Sequence, residues 1–262
     1  MSDDLAAQVT ARFLELFQKQ FGQKQLNFNP NHDELGRFAE SPGGRNYRGL
    51  GPDGYRKIQG EPTDEVKEFQ NVLDRAAAPI ESSDPPQKEA FKKYTETDHY
   101  YVNKLLRGDS KSQSPKEIER TQDLIAAMDQ VFDKASLDDD IITYRGITSR
   151  TLGHMDPEAQ EALMTPGSEI RFDGFISTSA RADEALSFAG EGDDEALVCE
   201  IKLPKGSKAV YVAPVSAFPN EMEVLVNRGT KFRVLSGPRT ENISTSFDRS
   251  FPVRVVTLEA IV

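Results

Sequence analysis

The sequence predicts an α+β fold, because segments with helical periodicity come first along the chain and short β-rich segments follow. Apolar residues recur at helical spacing in 4–21 and 64–77, and Asp84-Pro85-Pro86 marks the start of a helix expected over about 87–106. Ser114, Pro115 and Glu117 form a capping box that predicts the start of a further helix. One more helix is expected near 181–189. Strands are expected at 141–145, 169–179, 196–203, 209–213, 222–226, 231–235 and 251–261.

The N-terminal part of the chain differs in composition from the rest. Residues 22–60 are polar and rich in glycine, which is typical of a loop or linker. We therefore expect residues 1–60 to form a helix and a linker or tether, and residues 61–262 to form the main domain. Residues 1–60 could dock on that domain, tether it to a larger particle or stay flexible, and the sequence leaves these alternatives open.

Charge and composition exclude several classes of function. The net charge of −11 disfavours nucleic-acid binding. No apolar run reaches the roughly 18 residues of a membrane helix, and the acidic N-terminus lacks a signal-peptide pattern, so a cytoplasmic protein is expected. Cys199 lies on the apolar side of an alternating strand, which favours a buried structural thiol. The three histidines lack metal-ligand spacing, so no metal site is expected.

The first candidate site is Tyr144-Arg145-Gly146, at the end of a predicted strand. An arginine at a strand end can project into a cleft and bind phosphate through a charge-assisted fork. The adjacent glycine permits a close approach of the backbone. Taken alone, the triplet could equally be an ordinary strand end.

The second candidate is Ser177-Thr178-Ser179, where the two serines point to one face of a strand and the threonine to the other. The small serine hydroxyls could orient a carboxylate, although a polar sheet edge would look the same. The third candidate is the pair Glu221 and Glu223, which follows a Pro-Asn turn. In extended backbone these two carboxylates share a face, an unfavourable arrangement without a purpose. A solvated strand start remains the competing interpretation.

In this order, the three motifs resemble the R-S-E class of mono-ADP-ribosyltransferases, which includes clostridial binary-toxin enzymes and phage-encoded enzymes. That class shows an aromatic-Arg pair, a Ser-Thr-Ser strand and a Glu-x-Glu motif. The resemblance covers about residues 85–262. It implies two roughly perpendicular β-sheets that form an NAD cleft, with helices packed at one side, and NAD as a substrate without a metal.

The resemblance also implies a role for each matching residue. Glu223 would stabilise the developing positive charge on the ribose, Ser177 would hold Glu223, and Arg145 would bind the pyrophosphate. Glu221 would activate an arginine of a target protein, and Phe218 would help to recognise that protein. The further residues expected to contact NAD are Asn103, Arg107, Tyr144, Gly146, Thr178, Ser179 and Phe188.

Two alternatives to an arginine-specific transferase stay open. The same scaffold could be an NAD glycohydrolase, in which water replaces the protein acceptor. The chain could instead be an inactive phage structural or adaptor protein, because residues 31–39 resemble a segment of phage head-associated proteins. The resemblance allows action in a host or target-cell cytoplasm, association with a virion or non-classical export.

Overall fold

The structure, a computed structural model, describes residues 46–59, 62–109, 111, 113–190, 196–245 and 249–262. The predicted helix at 4–21 and the phage-like segment at 31–39 lie outside the described residues. A compact unit runs from Tyr47 to Val262. Residues 47–59, which the sequence assigns to the linker, lie inside this unit, and Tyr47 and Leu50 are buried in it.

Helices dominate the first half of the unit, as the sequence predicts. In the described residues, the helices of the whole unit are α1 (Gly54–Gln59), α2 (Asp64–Glu81), α3 (Pro85–Lys93), a π-helical turn (Tyr94–Asp98), α4 (His99–Leu106), α5 (Pro115–Lys134), α6 (Ser149–Gly153), α7 (Pro157–Met164) and α8 (Ala182–Ala189). The capping box predicted at the start of α5 is present: the Ser114 hydroxyl accepts from the Glu117 amide, and the Glu117 carboxylate accepts from the Ser114 amide.

Two helical features depart from the sequence prediction. The single helix expected at 87–106 is interrupted by the π-helical turn, which turns both Tyr94 and Asp98 inward, where they are buried. Asp98 there binds Arg120 of α5 at 2.6 Å. Helices α1, α6 and α7 were not predicted: α1 lies in the stretch expected to be a loop or linker, and α6 and α7 lie between the first two expected strands.

In the described part of the chain, eight strands form one mixed sheet. They are β1 (Ile141–Ile147), β2 (Glu169–Arg171), β3 (Ile176–Ser179), β4 (Leu197–Leu203), β5 (Ala209–Tyr211), β6 (Glu223–Val226), β7 (Lys231–Ser244) and β8 (Ser250–Ala260), in the spatial order β2-β7-β8-β4-β1-β3-β6-β5. The α+β prediction is therefore confirmed. The strand expected at 169–179 is divided into β2 and β3.

The junction between β1 and β3 divides this sheet into a group of five strands and a group of three. Only the pair Tyr144 and Ser179 is in register across this junction in the described residues, whereas β1 pairs with β4 over its whole length. Hydrogen bonds thus join the two expected sheets into one, with a narrow connection between the groups. The motifs of the sequence lie on the strands at this connection.

The sheet supplies most of the hydrophobic core. Every residue of β4, including Cys199, is buried, so the expected structural thiol is confirmed. Burial raises the pKa of Cys199 to about 12, which keeps the thiol protonated. Within the described residues, none of the helices has the length and apolarity needed to cross a membrane.

Candidate active site

Arg145, Ser177 and Glu223 lie on three neighbouring strands, β1, β3 and β6, at the junction of the two strand groups. The Arg145 side chain crosses from β1 to β3, where its Nη1 donates to the Ser177 carbonyl oxygen at 2.6 Å. Strand β6 pairs with β3 so that Glu223 lies opposite Ser179. Residues far apart in the sequence are thereby brought to one place.

Glu223 is a buried carboxyl group, with only 7% of the residue exposed. Burial raises its pKa from 4.5 to about 7, because a carboxylate loses hydration away from water. A hydrogen bond from the Ser177 hydroxyl opposes this shift, the charge of Glu221 adds to it, and the Arg145 guanidinium opposes it. Perturbed carboxyl groups of this kind are frequent in active sites.

A hydrogen-bonded chain leads from Glu223 into the helical layer. The Tyr94 hydroxyl and Ser177 Oγ are hydrogen-bonded at 3.4 Å, and Tyr94 is the donor when Ser177 donates to the ionised Glu223. Asn103 Nδ2 in turn donates to the Tyr94 hydroxyl at 3.1 Å. Tyr94 is 1% exposed, and burial, followed by the nearby charge of Glu223, raises its pKa to about 12. The tyrosine therefore stays protonated and acts as a donor.

Tyr94 was not among the site residues predicted from the sequence. The spacing of Tyr94 and Asn103 along a helix could have indicated that both side chains point inward. The π-helical turn that begins at Tyr94 shifts which residues share a helix face, so regular helical spacing does not reveal this. Asn103 lies beside Tyr94 in this cluster, and its expected contact with NAD stays a prediction. Its Oδ1 is buried and has no hydrogen-bond partner in the described residues, and a Cβ on Gly174 would collide with the amide.

Glu221 lies next to the cluster, but its backbone conformation differs from the expected one. From the sequence, Glu221 and Glu223 are expected to share a face if the backbone between them is extended. Instead, Pro219–Glu221 form a 3₁₀ turn and β6 begins at Glu223. Met222 between them has a left-handed backbone, with φ of 48°, which interrupts the extended conformation. The two carboxylates still interact, because the charge of Glu221 raises the pKa of Glu223.

Ser179 and Thr178 have structural contacts. Ser179 Oγ donates to the Glu221 carbonyl oxygen at 2.7 Å and accepts from the Arg181 amide at 2.9 Å, so it holds the Glu221 turn against the start of α8. Thr178 Oγ1 donates to the Val224 carbonyl oxygen at 2.6 Å and is buried. As NAD contacts, both remain predictions.

The side chain of Tyr144 does not join the cluster. Tyr144 and Arg145 are consecutive in β1 and therefore point to opposite faces of the sheet. Tyr144 is 3% exposed, and burial followed by the charge of Glu200 raises its pKa well above the usual range. The period-two alternation of a strand could have indicated this from the sequence.

Gly146 lies on the same face of β1 as Tyr144, where α8 packs closely. A Cβ on Gly146 would lie 2.6 Å from the Ala189 amide nitrogen and closer still to the Ala185 carbonyl oxygen. The close approach expected at this glycine is therefore made by a helix of the protein. A contact between Gly146 and NAD stays a prediction.

The remaining predicted residues lie at the surface. Phe188 on α8 is 57% exposed, and Phe218, which precedes the Glu221 turn, is 49% exposed. Arg107 is exposed at the end of α4, and no contact in the described residues links its side chain to Glu223. The roles of all three in binding NAD or a target stay predictions.

Two cavities lie outside this cluster, because neither has Arg145, Ser177 or Glu223 in its lining. The smaller, of 140 Å³, lies between α4 and α5. The larger, of 460 Å³, is lined by Gly206, Ser207, Lys208, Gly229, Thr230, Lys231, Ala260, Ile261 and Val262. In the described part of the chain, no group of three or more His, Cys, Asp or Glu side chains could hold a metal ion.

The cluster combines a guanidinium, a buried carboxyl group held by a hydroxyl, and a second carboxyl group at its edge. Such a site can bind an anionic ligand through the guanidinium and stabilise a cationic transition state through the carboxylate. This combination suits glycosyl transfer, in which the sugar becomes oxocarbenium-like as the leaving group departs.

Comparisons with known proteins identify the family. The profile of the ADP-ribosyltransferase exoenzyme family matches residues 61–250, and the chain belongs to this family. It is 30% identical over 153 residues to NAD(+)--arginine ADP-ribosyltransferase EFV of Enterococcus faecalis, covering 57% of this chain and 28% of that protein. It is also 30% identical over 168 residues to mono-ADP-ribosyltransferase C3 of a Clostridium botulinum C phage, covering 57% and 63%. The chain thus spans less than two thirds of these relatives.

Solved structures agree on the fold. The ADP-ribosylating toxin BECa of C. perfringens aligns with a TM-score of 0.59 at 18% identity, covering 82% of this chain and 50% of that one. C3stau2 of S. aureus, solved with NAD, aligns with a TM-score of 0.55 at 22% identity, covering 76% and 96%. The fold expected from the sequence motifs is confirmed.

Proposed function

We propose that the protein transfers ADP-ribose from NAD⁺ to an arginine of a target protein and releases nicotinamide. The observation that carries this proposal is the buried Glu223, held by Ser177 and next to Arg145, in a member of the ADP-ribosyltransferase exoenzyme family. Residues 47–262, which form the compact unit, would carry the activity, and residues 1–46 would serve as an extension or tether.

The residues present fit NAD⁺ as a substrate. In the described contacts, Arg145 uses one N–H for the Ser177 carbonyl, so the rest of its guanidinium can bind the pyrophosphate. Asn103 offers a buried acceptor, Oδ1, without a partner. Glu223 would accept a hydrogen bond from the ribose 2′-hydroxyl, which places its negative charge beside the anomeric carbon.

The reaction breaks the bond between the anomeric carbon and the nicotinamide nitrogen. Nicotinamide leaves with the electron pair of that bond, and positive charge develops on the sugar. The ionised Glu223 stabilises that charge more strongly in the transition state than in the ground state. Ser177 and Tyr94 hold the carboxylate in place through the hydrogen-bonded chain. An arginine nitrogen then bonds to the anomeric carbon and loses a proton.

Glu221 would bind and activate the acceptor arginine. A guanidinium is protonated at neutral pH and is a poor nucleophile until a carboxylate orients it and accepts its proton. The relative from Enterococcus faecalis is named as arginine-specific, which supports the same acceptor here. The net charge of −11 supports a protein acceptor over a nucleic acid, and we place the reaction in a target-cell cytoplasm.

Two variants test the proposal with separate measurements of nicotinamide release and of transfer from labelled NAD⁺ to agmatine or an arginine peptide. Glu223→Gln should lose both activities. Glu221→Gln should keep nicotinamide release within a few-fold while losing transfer, because its role is confined to the acceptor.

Three outcomes would contradict the proposal. Full transfer by Glu223→Gln would remove the basis of the mechanism. Nicotinamide release by the unmodified protein without transfer to any protein or guanidine would identify an NAD glycohydrolase. Failure to bind NAD⁺ at all would favour the inactive adaptor.

A further inference from the structure

The first turn of α8 is fixed against the turn that carries Glu221. Arg181 Nη1 donates to the Asn220 carbonyl oxygen at 3.0 Å, and the Ala180 amide donates to the Met222 carbonyl oxygen at 3.0 Å. Ser179 Oγ adds the bond to the Glu221 carbonyl oxygen. The start of α8 and the turn at 219–222 therefore form one surface beside Glu223.

The exposed side of α8 carries a carboxylate at the end nearest this turn. Glu184, Ser187 and Phe188 follow at helical spacing and are the side chains of α8 that are not buried, whereas Ala185, Leu186 and others pack inward. Glu184 and Phe188 are four residues apart and share one face of the helix. That face continues the surface on which Glu221 lies.

Glu184 and Glu221 carry half-buried carboxylates that are not paired with a cation in the described residues. Within the described residues, neither carboxylate makes a hydrogen bond or an ion pair. Hydrogen bonds hold the start of α8 against the turn that carries Glu221, and the charge of Glu184 adds to burial in raising the pKa of Glu221. The neighbouring cation, Arg181, directs its guanidinium to both oxygens of Asp183 and to Asn220. Its charge opposes the rise in the Glu184 pKa without bonding to that carboxylate.

We propose that Glu184 is a specificity-determining residue, which binds the guanidinium of the acceptor arginine together with Glu221. A guanidinium carries five N–H donors in a planar fork, so its edges can bind two carboxylates at once. Glu221 would hold the attacking nitrogen, and Glu184 would hold another edge. This inference rests on the proposed transfer to arginine and adds the residue that selects a guanidinium over an ammonium or an amide.

The aromatic side chains beside this carboxylate pair fit the same ligand. Phe188 and Phe218 are each about half exposed, on α8 and before the Glu221 turn. Aromatic faces bind guanidinium groups through stacking and cation–π contacts. An arginine on an exposed segment of a target protein therefore meets two carboxylates and the Phe218 ring on this surface, next to Phe188, which is expected to contact NAD.

The test compares Glu184→Gln with the unmodified protein in steady-state transfer to agmatine and to an arginine peptide, with NAD⁺ hydrolysis measured separately. The KM for the acceptor should rise about tenfold, because a charge-assisted hydrogen bond is lost. The rate of NAD⁺ hydrolysis should stay within about twofold, because Glu184 does not touch the group that stabilises the ribose. Glu184→Asp should give an intermediate KM, since it keeps the charge.

Glu158→Gln is the matched control, because Glu158 is exposed and also lies in the first turn of a helix, α7. It should leave the acceptor KM unchanged. An unchanged acceptor KM in Glu184→Gln, or a parallel fall in NAD⁺ hydrolysis, would overturn the proposed role of Glu184. Neither outcome would overturn the proposed function. Hydrolysis without any transfer by the unmodified protein would overturn the proposed function and this inference together.

Discussion

Glu223 should make the folded protein less stable at about pH 7 and above. Burial raises the pKa of this carboxyl group from 4.5 to about 7. That difference of about 2.5 corresponds to about 3 kcal/mol, because each whole number of pKa difference equals about 1.4 kcal/mol. Replacing Glu223 by glutamine should remove this cost while abolishing catalysis.

The direction of the pH dependence of stability follows from proton binding. Between about pH 4.5 and pH 7 the folded protein keeps a proton on Glu223 that the unfolded chain releases, so stability falls as the pH rises. Above about pH 7 the full cost is present, and below about pH 4.5 both states are protonated and Glu223 contributes nothing. Glutamine is neutral throughout. The advantage of Glu223→Gln should therefore grow by up to about 3 kcal/mol across this range.

Urea denaturation at several pH values, from about pH 5 to about pH 8 and without NAD⁺, measures this difference. The pH dependence of the difference between the two proteins is the quantity to compare, because other groups titrate in both. Glu158→Gln, an exposed control, should follow the unmodified protein at every pH. A pH-independent difference between Glu223→Gln and the unmodified protein would refute the raised pKa of the buried Glu223 carboxyl group.

Two further predictions concern the packing of the sheet. Gly146→Ala should lower the free energy of unfolding by about 3 kcal/mol, since α8 must move away from the added Cβ near Ala185 and Ala189; an unchanged midpoint in urea would contradict this packing. Cys199 should resist iodoacetamide at about pH 8 in the folded protein and react once urea unfolds it, because its thiol is buried and protonated; rapid labelling of the folded protein, followed by mass spectrometry, would disagree.

Local signals in the sequence predicted the elements that depend on local physics. The capping box at Ser114 placed the start of α5 correctly, because its hydrogen bonds lie within four residues. Alternating apolar residues predicted β4 and the burial of Cys199. The order of the three motifs led to the family and to the residues that converge between β1, β3 and β6.

The parts that the sequence did not predict depend on tertiary contacts. The left-handed backbone of Met222 is disfavoured by its own side chain, so an extended Glu-x-Glu strand was the reasonable expectation. Tyr94 points inward because of a π-helical hydrogen-bond pattern, and no residue type in the sequence predicts that pattern. Glu184 was overlooked because an acidic residue in the first turn of a helix is normally explained by the helix dipole.

A crystal structure of Glu223→Gln with NAD⁺ bound would test the convergence of Arg145, Ser177 and Glu223 most directly. We predict that the pyrophosphate lies within hydrogen-bond distance of the Arg145 guanidinium and that the nicotinamide ribose lies against residue 223. NAD⁺ bound elsewhere, such as in the 460 Å³ cavity beside Lys208 and Lys231, with the β1–β3 junction unoccupied, would contradict the account.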